Sequence, residues 1–75
     1  MNLLDLNIGE LGKVIRINCD YNIKQRFLDL GLIPGTSISP IFSSALGDPI
    51  AYEFRGNIIA IRKEEALNII ISKLK

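Results

Sequence analysis

Apolar and polar side chains alternate through most of this chain, and one short stretch interrupts them with a helical period. Over Lys13–Cys19, Ile15, Ile17 and Cys19 share one face and Val14, Arg16 and Asn18 the other, which predicts a half-buried strand. Thr36–Ser43 repeats the pattern with Ile38, Pro40 and Phe42 on one side. Pro40 cannot donate a ladder hydrogen bond, so this strand is expected at a sheet edge or bulged at that point. Ile50, Tyr52 and Phe54 alternate with Ala51, Glu53 and Arg55, the clearest strand signal in the chain. Gly56-Asn57 reads as a two-residue hairpin turn, and Ile58–Arg62 as the returning strand. Lys63–Leu67 suits one helical turn, and Ile69–Leu74 a last strand with Lys73 and Lys75 near its end. Ahead of all this, Met1–Leu11 reads as an extended or single-turn lead-in, with Gly9 and Gly12 bracketing a turn.

The interruption is Asn22–Thr36, NIKQRFLDLGLIPGT. Asn22 is placed to cap a helix, with Gln25 at capping-box spacing. Ile23, Phe27 and Leu30 then fall on one face while Arg26 and Asp29 point away. Gly31 stands where a helix ends in left-handed geometry, and Leu32 is placed to fold back onto Phe27. Ile33-Pro34-Gly35-Thr36 reads as a type II turn that launches the next strand.

Five short strands with one helix after the first predict a mostly β fold, a small and partly open barrel formed by a single domain over residues 1–75. The 48% apolar fraction supports a real core in so short a chain. Nine basic and eight acidic side chains are scattered without forming a basic stripe, which argues against a phosphate-backbone footprint. The N-terminus lacks a basic region of the secretory kind. Its longest aliphatic run, Ile58–Ile61, is far short of the roughly 20 residues that span a bilayer. A soluble cytoplasmic protein is expected.

Candidate chemistry is sparse. The chain has no histidine, so the commonest general base is missing, and Ser43-Ser44 has no base beside it. Glu64-Glu65 reads as a solvated charged face rather than a carboxylate pair. One thiol without imidazole makes neither a zinc site nor a Cys–His nucleophile, and Cys19 reads as inert core packing. Asp5, Asp20, Asp29 and Asp48 are too dispersed for oxygen ligation of a metal. Phe27, Tyr52 and Phe54 have core-like placement, which leaves few aromatics for stacking on nucleic acid. No catalytic residue, cofactor or metal is therefore expected.

What remains is apolar surface. Leu28 lies off the helix centreline, Leu32, Ile33 and Pro34 form a corner, and Leu46 sits in a polar loop between Ala45 and Gly47. Each side chain either tucks under the barrel mouth or joins a hydrophobic patch beside Arg26 that docks on a partner; together, the patch is the sharper reading.

The run RFLDLGLIPGT followed by SALGDPIAYEFRGNIIAIRKEEA resembles the FeoA family, small cytosolic proteins of bacterial ferrous iron transport. The resemblance covers Leu6 through Leu67 and rests on Arg26, Leu28, Leu30-Gly31-Leu32, Pro34-Gly35, Leu46-Gly47-Asp48-Pro49, Arg55-Gly56, Ala60-Ile61-Arg62 and Glu65-Ala66. Pro40 departs from it, standing where an ordinary strand residue is expected. The resemblance implies a Src-homology-3-like (SH3-like) barrel and a non-enzymatic accessory of iron uptake that binds the cytosolic GTPase portion of the membrane iron permease. The surface expected to do so comprises Arg26, Leu28, Leu32, Ile33 and Pro34 with Ala45, Leu46, Gly47, Asp48 and Pro49. The same barrel resembles the C-terminal domain of iron-dependent transcriptional repressors, so an interaction domain of that kind is the alternative. Self-association through the same patch is a third.

Overall fold

The computed structural model describes residues 1–74; Lys75 lies outside the described residues. Five antiparallel strands form one sheet in the order β4-β3-β2-β1-β5. They are β1 (Leu11–Ile17), β2 (Ser37–Ser43), β3 (Ile50–Phe54), β4 (Asn57–Ile61) and β5 (Ile69–Leu74). Helix α1 (Tyr21–Asp29) is inserted between β1 and β2, and the single turn α2 (Lys63–Ala66) leads into β5. A 3₁₀ turn over Leu3–Asp5 forms the lead-in. This is the mostly β fold with one short helix that the alternation predicts.

Two bulges decide which side chains face inward. Against β5, Val14 pairs with Ile71 but Arg16 with Ile70, so Ile15 is an extra residue. An extra residue resets the two-residue period. Val14 and Ile17 are therefore both buried while Ile15 is exposed, not the Ile15–Ile17–Cys19 face of simple alternation. The second bulge lies between Pro40 and Phe42, where the proline predicts one. The strand is nevertheless central, not an edge. Its ladder with β1 covers Gly12↔Ile38 and Lys13↔Ser37 and ends before Pro40, so the missing N–H interrupts no ladder. The Pro40 carbonyl instead accepts from Gly9 N–H at 2.9 Å. Beyond this second bulge Phe42 turns out to solvent.

The hairpin turn is one residue earlier than expected. Phe54 pairs with Asn57, and Arg55 (φ 53°) and Gly56 (φ 80°) are the two left-handed residues between them, the geometry of a type I′ turn. Tyr52, Phe27 and Phe54 are the largest fully enclosed side chains, joined by Leu3, Leu32, Ile38, Ile61 and Ile69. Each contributes on the order of 1.5–3 kcal/mol by leaving water.

The outermost strands differ. Along β5, Asn2 bridges to Ile70 and Ile71 N–H donates to the Met1 carbonyl at 2.9 Å. Strand β4 pairs with β3 alone among the described residues.

Candidate functional site

The corner after α1 is built almost entirely from backbone. Asp20, not Asn22, caps the helix: its carboxylate accepts from Ile23 N–H at 3.1 Å. Gln25 makes no capping box and instead donates to Asp29 at 2.8 Å. At the other end Gly31 has φ 96° and Leu32 N–H donates to the Phe27 carbonyl at 2.9 Å, which turns the Leu32 side chain into the core. The next turn closes from Thr36 N–H to the Ile33 carbonyl at 3.0 Å, with Gly35 at φ 93°. It is laced to β1 by Gly35 N–H to the Val14 carbonyl at 2.7 Å and Val14 N–H to the Thr36 carbonyl at 2.9 Å. Buried Thr36 accepts from Ile33 N–H at 3.2 Å through its hydroxyl.

This geometry sorts the expected surface residues. Leu32 is 0% exposed and belongs to the core, so it touches no partner. Leu28 is half-buried, whereas Ile33 and Pro34 are exposed. Leu30, expected inward, is the helix C-cap and lies open to solvent because the helix stops there. In the other stretch, Ala45, Leu46 and Asp48 are exposed, and Leu46 reaches 93% exposure. That loop closes on itself through Gly47 N–H to the Ser44 carbonyl at 2.9 Å. Asp48 also accepts from Lys63 N–H at 3.0 Å, which ties the loop to the start of α2.

Glu65 departs from its expected solvated role, whereas Arg26 stays exposed and pairs with it. Arg26 Nη2 donates to Glu65 Oε2 at 2.7 Å, and its guanidinium lies 5.1 Å from the Phe27 ring centre. The other Glu65 oxygen accepts from Arg62 N–H at 3.2 Å. Glu65 is consequently buried, while Glu64 beside it is exposed. The one signal in the chain was an acid three residues past a strand end, the spacing at which a carboxylate reaches back to a helix N-terminus. Nothing local reports the partner 39 residues away.

Five of the expected residues line three separate hollows. Ile33 and Pro34 meet Arg55 around about 450 Å³. Arg26 and Pro49 meet Leu30, Ile59, Ala60 and Arg62 around about 250 Å³, between α1 and β4. Gly47 meets Leu4, Ile8, Ile50 and Lys63 around about 380 Å³. Cys19 is half-buried; desolvation first, then the Glu65 and Asp20 charges, pushes its thiol up and away from the reactive thiolate. Burial likewise pushes the Tyr52 hydroxyl up to about 12. Among the described residues no group of three or more His, Cys, Asp or Glu is placed to hold a metal ion. No helix among them is long and apolar enough to cross a membrane.

Similar proteins agree with this architecture. The FeoA domain matches residues 1–73. An Fe(2+) transport protein A/Fe(2+) transporter FeoB fusion protein of Porphyromonas gingivalis is 26% identical over 69 residues, which are 92% of this chain and 8% of that protein. The chain thus spans a small fraction of that relative's length. The solution structure of the FeoA protein of Chlorobium tepidum superposes with a TM-score of 0.95 at 29% identity, covering 100% of this chain and 71% of that one. The zinc-complexed FeoA of Stenotrophomonas maltophilia, described as a procaryotic SH3 domain protein, shares the fold with a TM-score of 0.85 at 20% identity, covering 100% and 96%. Five antiparallel strands, an inserted helix and a domain match over nearly the whole sequence lead to one statement: this chain belongs to the FeoA family.

Proposed function

We propose that this protein is a non-enzymatic cytosolic accessory of ferrous iron uptake that binds the GTPase portion of the membrane iron permease and modulates transport. The observation that carries the reading is the Porphyromonas gingivalis relative, in which a matching domain and an Fe(2+) transporter share one chain. Domains joined covalently in one protein meet at high effective concentration, which supports a direct contact between them. Two patches suit this role, Leu46 with Ala45 on the loop after β2 and Ile33 with Pro34 at the corner before it. These are exposed apolar side chains that the core does not use. Leu32 drops out because it is enclosed.

The test is co-purification with the permease's cytosolic domain, with and without guanine nucleotide. The wild-type protein is expected to be retained and an Ile33→Asp/Leu46→Asp variant to be lost, with an unchanged circular dichroism spectrum. Failure of the wild type to bind overturns the partner; equal retention of the variant overturns the surface.

A further inference from the structure

Strand β4 is an open edge of the sheet among the described residues. Because Phe54 and Asn57 close a two-residue turn, the hydrogen-bonded pairs with β3 fall at Asn57, Ile59 and Ile61. The N–H and C=O groups of Ile58 and Ala60 therefore point outward, and no backbone partner reaches them among the described residues. Edges of this kind are ordinarily blunted by a charge, a proline or a bulge. Asn57–Ile61 contains none of these, and Ile58 is 57% exposed.

The surroundings choose the occupant. Beside the edge runs the hollow between α1 and β4, walled by Leu30 and Ile59. A strand laid between an edge and a helix satisfies its backbone on one side and buries alternate side chains on the other. Arg55, in the turn before β4 and beside Gly31, and Arg62, after it, flank the strand in the chain, and neither is in an ion pair among the described residues. Arg26 is already neutralised by Glu65. Two uncommitted guanidinium groups at the ends of an apolar edge select a segment with carboxylates at its ends. They do not suit a second copy in the register that pairs Ile58 with Ala60, which brings Arg55 opposite Lys63, like against like.

We propose that β4 binds an extended, apolar segment of a protein partner, flanked by acidic residues, which adds to the sheet as a further strand. This goes beyond the permease reading, which fixes no binding mode, and it holds whichever protein supplies the segment.

The experiment uses the whole chain and two blocked peptides, acetyl-ETVTVTVE-amide and acetyl-KTVTVTVK-amide. Amide exchange and ¹⁵N chemical shifts are followed at Ile58 and Ala60. Both amides are expected to exchange freely without peptide and to slow at least roughly tenfold with the acidic one alone. Ala60→Pro removes an outward donor and leaves the β3 ladder intact, so it should abolish this protection. Arg62→Glu, a surface change that keeps the fold, should weaken the acidic peptide about tenfold. Absence of binding, equal binding of the lysine-ended peptide, or binding that leaves Ile58 and Ala60 unprotected overturns the proposal. So does protection in the peptide-free protein that grows with its concentration, because the edge would then serve copies of this chain.

Discussion

The corner at Gly31–Thr36 and the loop at Ser44–Pro49 both place apolar side chains in turns, but the corner encloses one of its leucines, Leu32, whereas the loop leaves Leu46 in water. The corner is laced to α1 and β1 by bonds from Leu32, Gly35 and Val14 amides, and its Leu32 is enclosed. The loop closes chiefly on itself, with Asp48 as a tether to Lys63, and its Leu46 stands in solvent. The difference lies in what the backbone has to satisfy. A helix end leaves carbonyls that the following residues must reach, and reaching back swings the next side chain inward. A loop between two strands carries no such obligation, so its leucine remains available. An apolar residue in a turn is thus evidence of a binding surface only when no helix terminus claims it.

Three substitutions test that contrast. Leu32→Ala should have the largest effect, lowering stability by about 2–5 kcal/mol in urea denaturation, because it empties an enclosed site. A loss below 1 kcal/mol would mean the corner is not anchored through this side chain. Gly31→Ala should cost roughly 1–2 kcal/mol. A Cβ there would meet only Arg55 Cδ, at 3.7 Å, so a measured loss reports the left-handed backbone and not a clash. An unchanged melting midpoint would remove the helix stop from the explanation. Leu46→Asp should shift stability by no more than about 0.5 kcal/mol, since the side chain is surrounded by water. A large destabilisation would show that the loop packs and would erase the distinction between the two regions.

Much of this fold was legible in the sequence because local chemistry agreed with the global arrangement. Gly31, Pro34-Gly35 and the Ile50–Phe54 alternation each have one strong local meaning, and each stands as read. The misreadings arose where tertiary pairing overrode local pattern. Ile15 looked inward until a bulge against β5 displaced it, and no residue in Lys13–Cys19 announces that bulge. Pro40 announced its bulge but not that its strand is central, since the end of the β1 ladder is a property of the partner. Asp20 and Asn22 are both good caps, and periodicity alone does not choose between them. For the candidate site, Leu46 was readable from the polarity of its neighbours. Leu32 reads as surface from its apolar neighbours, although the helix-stop motif that sets it against Phe27 also implies its burial.

One topological fact reaches back to the making of the chain. Strand β1 touches β2 only over Gly12–Val14, yet it runs against β5 from Leu11 to Ile17. Most of what holds β1 is therefore synthesised after every other strand of the sheet. Until residues 69–74 emerge, the nascent polypeptide keeps Val14 and Ile17 without the cover of Ile69 and Ile71, and the β1–β5 side of the sheet closes late.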